Sequence, residues 1–298
     1  MKKWSILLLI GAMMLALLAG CGAQNGGETA PPEKDTPTTD EQPAPEVESG
    51  AYADGIYFAQ EDQFSEKSGW KYMVLLTVQD GKISEANWTG AHKNGGPDKK
   101  ESSKSGQYGM KAGGAQSEWH EQAELMEKVL IEKQDPKAIA VKEDGKTDAV
   151  SGVSITVKEF TSLAEKALAA GPTQPGPFKD GAYHAEGKEF DAKSGWKGTM
   201  DLTVVNGTIV AANWDAVHKD GGDTKKKQSA EGKYGMKAGG AQSEWHEQAA
   251  VMEQALLDKQ DPKAIALKED GTADAISGVS IHVGEFVQLA EEALANAK

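Results

Sequence analysis

The segment YMVLLTVQDGKISEANW (72–88) decides the fold class of this 298-residue chain. Apolar residues flank the dipeptide Asp80-Gly81, which favours the tight turn of a β-hairpin because both positions tolerate a positive φ. A second segment, GTMDLTVVNGTIVAANW (198–214), has Asn206-Gly207 at the corresponding place. Each segment therefore predicts two antiparallel strands joined by a two-residue turn.

The two hairpins belong to a tandem repeat with a constant offset of 126 positions, which pairs Trp70 with Trp196. The sixteen residues YGMKAGGAQSEWHEQA are identical in the two copies (108–123 and 234–249). Each copy spans roughly 120 residues, the usual size of an independently folding domain. We therefore predict a first domain over 51–171, a short semi-rigid linker over 172–178, and a second domain over 179–298.

Helical periodicity follows the strands in each copy. The first apolar face runs from Trp119 to Leu130, with Ser117 as the predicted N-cap. A second amphipathic helix follows Thr156, which together with Glu159 resembles a capping box. Strands that come first and helices that come later predict an α+β fold.

The N-terminus predicts export and anchoring. Lys2 and Lys3 precede an uncharged stretch over 4–20, which ends in Leu18-Ala19-Gly20-Cys21. This end resembles a bacterial lipobox, and the resemblance implies a signal peptide over 1–20, cleavage before Cys21 and a lipid on its sulfur. The alternative is an ordinary signal peptide with an incidental cysteine. Cys21 is the only cysteine in the chain, so once it carries a lipid no disulfide or iron–sulfur cluster can form.

Composition separates the anchor from the repeats. Residues 22–50 hold five prolines, seven acidic residues and one lysine, a composition that predicts a disordered tether together with Cys21 (21–50). The net charge of −14 becomes −16 when two lysines leave with the leader. This acidity argues against nucleic acid as a partner and against binding to anionic lipid through a basic face.

A short turn recurs ahead of the last helix of each copy, as DAVSGVSITV (148–157) and DAISGVSIHV (274–283). Backbone N–H groups at a helix N-terminus are unpaired and the helix dipole is positive there, so this place suits a phosphate. A turn of this composition is also common as a plain connection that was duplicated with its domain.

The order of these motifs resembles the FMN-binding domain of flavoproteins, a family that includes peripheral subunits of bacterial redox pumps. The family's acceptor motif is D-x-x-[ST]-G-A-[ST], in which a flavin transferase esterifies FMN phosphate to the last hydroxyl. The resemblance implies covalent FMN at Ser154 and Ser280, one per copy. It also implies that the cofactor-binding residues are Asp148, Ser151, Gly152, Val153, Asp274, Ser277, Gly278 and Val279. Valine replaces the usual alanine at Val153 and Val279, and serine replaces the commoner threonine.

The leader together with two such domains is similar to the pheromone-type flavin lipoproteins of extracellular electron transfer in Gram-positive bacteria. The resemblance implies a carrier rather than an enzyme with its own substrate turnover. It would sit lipid-anchored on the outer face of the cell membrane and take electrons from a quinol-linked donor. It would pass them to acceptors such as ferric iron or flavins. The alternatives are a non-redox cell-surface binding lipoprotein, and a leader whose tail MMLALLAG (13–20) is a source of a peptide pheromone.

Aromatic and histidine residues complete the candidates. Trp88 and Trp119, with their counterparts Trp214 and Trp245, are either walls for a flavin ring or core residues. His120 and His246 recur, yet WHEQA lacks the second histidine of H-E-x-x-H, so we predict no metal site.

Overall fold

The computed structural model describes residues 52–298. The predicted signal peptide (1–20), Cys21, the tether (21–50) and the pheromone-like tail (13–20) lie outside the described residues. Within the described part, no helix is long and apolar enough to span a bilayer.

The first copy is an antiparallel three-stranded sheet followed by three α-helices, as the α+β prediction requires. The strands are β1 (Gly55–Gln60), β2 (Trp70–Gln79) and β3 (Lys82–His92). The helices are α1 (Lys99–Lys104), α2 (Trp119–Lys133) and α3 (Lys158–Ala170). Strand β2 lies in the centre of the sheet and pairs antiparallel with both β1 and β3.

The second copy repeats this order. Its strands are β4 (Gly181–Glu186), β5 (Trp196–Val205) and β6 (Thr208–His218). Its helices are α4 (Lys225–Ala230), α5 (Trp245–Lys259) and α6 (Gly284–Leu294). The α+β prediction is therefore confirmed as two small three-stranded antiparallel sheets with packed helices.

The predicted hairpin turns are present and are left-handed. Asp80 and Gly81 have φ of 53° and 73°, and Asn206 and Gly207 have φ of 53° and 68°. Positive φ at both central positions twists the turn in the same sense as the strands. The side chains that precede each hairpin also hold it, since Asp54 accepts a hydrogen bond from Gly81 N at 2.9 Å.

One face of each sheet packs on the helices and forms a core around tryptophan. In the first copy the ring centroid of Trp88 lies 5.1 Å from that of Trp119 on α2 and 5.1 Å from that of Phe160 on α3. In the second copy Trp214 packs in the same way on Trp245 and Phe286. The periodic apolar faces of the helices are therefore buried, as their spacing predicts.

Both predicted helix caps are wrong. Helix α2 begins after Glu118, whose carboxylate forms a capping box with Glu121, and Ser117 lies one position too early. Helix α3 begins after Val157 without a side-chain cap. The carbonyl of Gly145 accepts hydrogen bonds from Val157 N and Lys158 N at 2.7 and 3.1 Å, so a distant loop caps the start of this helix in place of Thr156.

The outer faces of the two sheets pack against each other. Met73 and Ala91 of the first copy form one buried apolar cluster with Val205, Val210 and Ala211 of the second. Each second-copy member stands where the first copy has a polar residue, namely Gln79, Ser84 and Glu85. The second copy's face is therefore apolar at three positions where the first copy's face is polar.

Hydrogen bonds extend this interface to the loops and to the predicted linker. Thr203 Oγ1 donates to the carbonyl of Gly96 at 2.7 Å across the copies. In the linker, Thr173 N donates to Ile56 O of β1 and Gly176 N donates to Asn206 O of the second hairpin. The linker is thus fastened to both sheets.

Candidate functional site

The two predicted acceptor turns, 148–154 and 274–280, have the same conformation, and each is held by a glutamine at the equivalent position. Gly152 and Gly278 adopt left-handed φ of 87° and 86°. In the first copy, Gln122 of α2 is 1% exposed and its Oε1 accepts hydrogen bonds from Ser154 N at 2.7 Å and Ile155 N at 3.2 Å. Gln248 makes the same bonds to the second turn.

The predicted attachment hydroxyls lie on the surface. Ser154 and Ser280 are exposed, and each Oγ is 3.3 Å from the Oε1 of its glutamine. A side chain on a mobile loop would have to be ordered before it could react, whereas these hydroxyls stand on turns that are already fixed. Each copy therefore presents one oriented, accessible hydroxyl in the same surroundings.

The backbone of these turns offers less to a phosphate than the sequence suggests. Ser154 N and Ile155 N are taken by Gln122, and Val157 N and Lys158 N are taken by Gly145 O. The expectation of unpaired N–H groups at this helix N-terminus is therefore wrong for these four groups. A phosphate held only by backbone N–H groups would have to displace existing hydrogen bonds.

The motif aspartates lie at the entry to each turn. Asp148 forms a 3.0 Å ion pair with Lys142, and Asp274 forms the equivalent 3.0 Å pair with Lys268. These carboxylates are largely exposed, so the two ion pairs contribute little to stability.

The remaining motif residues line the exposed side of the turn, except for the valines. Ser151 and Ser277 are exposed. Val153 and Val279 are half-buried and pack against the cores of their copies. Valine in place of alanine therefore adds apolar contact beneath the turn.

The four tryptophans considered as flavin walls are core residues. Trp88, Trp119, Trp214 and Trp245 are all 3% exposed or less. Their faces are covered by one another and by Phe160 or Phe286. A flavin ring attached at Ser154 would consequently lie outside this cluster.

The recurring histidines have structural partners. His120 Nδ1 lies 2.9 Å from Ser103 Oγ, and His246 Nδ1 lies 2.9 Å from Ser229 Oγ. These contacts join the short helix to the following one in each copy. Between residues 52 and 298 no group of three or more His, Cys, Asp or Glu side chains is arranged to hold a metal ion.

An amine buried among aromatic rings was not foreseen from the sequence. Lys99 is 1% exposed, and the rings around its Nζ have centroids at distances of 3.8 to 5.4 Å. These four rings belong to Trp70, Tyr72, Tyr108 and Trp119. Burial lowers the pKa of Lys99 from 10.5 to about 7. Nothing in the sequence marks this lysine, because a Lys-Lys pair usually lies on a solvated face.

The second copy treats the equivalent lysine differently. Lys225 faces two rings, Tyr234 and Trp245. Gly198 replaces Tyr72, and Glu285 occupies the vacated space with Oε1 at 3.2 Å from Gly198 N. Burial lowers the pKa of Lys225, and the negative charge of Glu285 acts in the opposite direction. The two copies therefore share the conformation of the turn but differ in the electrostatics around this buried lysine.

Comparisons with known proteins give two solved structures. A solution NMR structure of a protein from Clostridium thermocellum is 50% identical over 39% of this chain and 90% of its own, with a TM-score of 0.32. A crystal structure of a Clostridium perfringens protein is 26% identical over 40% of this chain and 88% of its own, with a TM-score of 0.32. No model of a protein family matches the chain. No curated protein matches it either.

Proposed function

We propose that this chain is a surface-anchored flavoprotein that carries electrons from a quinol-linked donor in the membrane to extracellular acceptors such as ferric iron or flavins. FMN would be attached covalently at Ser154 and Ser280. One observation carries the proposal: the same serine hydroxyl is exposed on the same anchored turn in both copies.

The geometry favours an ester over a reversible phosphate site. The nearby N–H groups of Ser154, Ile155, Val157 and Lys158 are already hydrogen-bonded, so a phosphate bound reversibly by them would have to break existing bonds, whereas the exposed hydroxyl of Ser154 is accessible for an ester bond. A left-handed Gly152 keeps the backbone free of a side chain at the turn, and only Leu125 approaches within 4 Å of a Cβ placed there. The residues of the turn therefore fit an attached FMN phosphate.

The attachment is a phosphoryl transfer to the serine oxygen. Ser154 Oγ bonds to the phosphorus of FMN supplied in an activated pyrophosphate form. The serine proton leaves with the displaced nucleotide group, so the chain gains FMN less one water. Gln122 would orient the hydroxyl through its Oε1, and a partner flavin transferase would supply the catalytic groups.

Flavin exchanges electrons one or two at a time, and it requires no thiol from the protein. This suits a chain whose only cysteine is the predicted lipid site. The tryptophans are enclosed in the core, so a ring held at an exposed hydroxyl stays accessible to external acceptors. Accessibility of this kind suits a carrier. The lipid at Cys21 would keep it on the extracellular face of the membrane.

Intact-mass measurement after coexpression with a flavin transferase tests the proposal. We expect two additions of FMN less water on the unaltered chain and one on either Ser154→Ala or Ser280→Ala. The neighbouring Ser151→Ala is the matched control and should retain both additions. An unaltered mass would refute covalent attachment and would leave a non-redox surface-binding lipoprotein as the better description.

A further inference from the structure

A cavity of about 880 Å³ lies where the two copies meet. The second copy contributes residues of β5, β6, α4 and α5, and the first copy contributes Phe64, Lys93 and Asn94. The volume is in the range of cavities that enclose a small organic molecule. None of the acceptor-motif residues lines it, so this cavity is separate from the site of the proposed function.

The cavity is composite, because both copies line it, whereas the equivalent groove of the first copy is lined by first-copy residues alone. The equivalent groove of the first copy has a volume of about 340 Å³, and no second-copy residue covers it. Its lining includes Ala86, Asn87 and Ile131, the counterparts of Ala212, Asn213 and Leu257 in the large cavity. Packing of the sheets places Phe64, Lys93 and Asn94 against the groove of the second copy. The equivalent groove of the first copy has no such residues from the second copy in its lining.

A buried ion pair gives the cavity a polar edge. Glu253 Oε1 accepts hydrogen bonds from Trp214 N at 2.7 Å and from Lys226 Nζ at 2.6 Å. Lys226 Nζ also donates to Asn213 Oδ1 at 2.7 Å, which leaves one of its three N–H groups. Glu253 Oε2 has no hydrogen bond with any residue in 52–298. The pair thus presents one donor and one acceptor next to each other.

The other walls combine apolar surface with polar side chains, among them Asp201, Asp215 and His246. Phe64 is half-buried in the interface, and Ala212, Ala250 and Leu257 line the second copy's side. An aromatic ring such as Phe64 favours an offset-stacked or edge-to-face aromatic partner. Lys71 holds Phe64 in place, with Nζ 4.7 Å from the ring centroid.

We propose that this composite cavity binds one planar heteroaromatic molecule whose edge carries adjacent carbonyl and ring N–H groups. The carbonyl accepts a hydrogen bond from Lys226, the N–H donates to Glu253, and the ring packs on Phe64. Binding is reversible and needs no phosphate ester, so it is independent of the modification of Ser154 and Ser280.

Fluorescence titration with lumiflavin tests this proposal on the full chain in detergent, after its mass has shown that no flavin is attached. Lumiflavin has the required edge and lacks the phosphate that an ester needs. We expect one molecule per chain with a dissociation constant below about 100 µM. A naphthoquinone, which has carbonyls and no N–H, should bind about tenfold more weakly because Glu253 is left without a donor.

Each variant has a counterpart in the other copy. Phe64→Ala should weaken lumiflavin binding about tenfold, whereas Phe190→Ala, at the equivalent and exposed position, should not change it. Lys226→Met should weaken binding, and Lys100→Met in the uncovered copy should not. Two molecules per chain, no saturable binding, or an unchanged affinity in folded Phe64→Ala would each overturn the proposal. Circular dichroism establishes folding, and the Phe64 pair decides the outcome if Lys226→Met unfolds.

Discussion

Replacing Lys99 with methionine should stabilise the protein at neutral pH, because methionine keeps the length of the side chain and removes a charge that is buried among four rings. Burial lowers the pKa of Lys99 from 10.5 to about 7. At about 1.4 kcal/mol per pH unit, this fall corresponds to about 5 kcal/mol in the free energy of unfolding. The figure is an upper limit, since the ring faces attract the charged amine.

The pH dependence has a definite sign. Between about pH 7 and pH 10.5 the unfolded chain holds a proton on Lys99 and the folded chain does not. Stability therefore rises with pH across this range and is lowest, by the full amount, below about pH 7. Methionine has no proton to bind, so the advantage of Lys99→Met should be greatest at or below pH 7 and should disappear above pH 10.5.

Urea unfolding of the unaltered chain and of Lys99→Met at pH 6, 7, 8 and 9 measures this difference directly. The advantage of the variant should shrink by about 1.4 kcal/mol per pH unit above pH 7. Lys225→Met is the matched control and should show a smaller gain, because Glu285 offsets part of the burial of that amine. In lysine ¹³Cε NMR, one signal that is absent from Lys99→Met should titrate near pH 7. An advantage that is constant with pH, or no lysine titrating below pH 9, would refute the assignment.

Four further results are expected. Gln122→Ala should cost about 1–3 kcal/mol and should lower FMN occupancy of the first turn only, as measured by peptide mass spectrometry. The double change Val210→Ser and Ala211→Glu installs first-copy residues in the interface, so it should lower the melting temperature; an unchanged melting curve would contradict the packing of the sheets. Cys21→Ser should abolish incorporation of labelled lipid, and persistent labelling would place the anchor elsewhere. Deleting 24–48 should leave flavin content unchanged and reduce ferric iron reduction by intact cells; normal reduction at equal surface abundance would show that tether length is irrelevant.

Features fixed by local chemistry could be predicted from the sequence. Asp80-Gly81 and Asn206-Gly207 form left-handed turns because few other residue pairs accept positive φ at both positions. The helix that starts at Trp119 follows from its apolar spacing. The repeat followed from self-comparison alone, and the structure gives its two copies the same order of elements.

Features fixed by distant contacts could not be predicted in this way. The start of α3 depends on the Gly145 carbonyl, and the acceptor turn depends on Gln122, which lies 32 residues away in the chain. The environment of Lys99 depends on four rings from different elements. The sequence did contain one indication of the role of Gln122. This residue lies within the sixteen residues that are identical in the two copies, and such identity indicates a structural role that both copies need.

The pattern of identity and divergence between the copies is itself informative. The sixteen-residue segment that is identical in the two copies contains Gln122 and Gln248, which hydrogen-bond to the predicted acceptor turns, so both copies keep the same oriented hydroxyl. Divergence is concentrated on the sheet faces, where apolar Val210 replaces Ser84, and beside the buried lysine, where Gly198 replaces Tyr72. With FMN attached at Ser154 and Ser280 as proposed, two cofactors of the same kind would be held by copies that differ in their buried charges, which two identical domains could not offer.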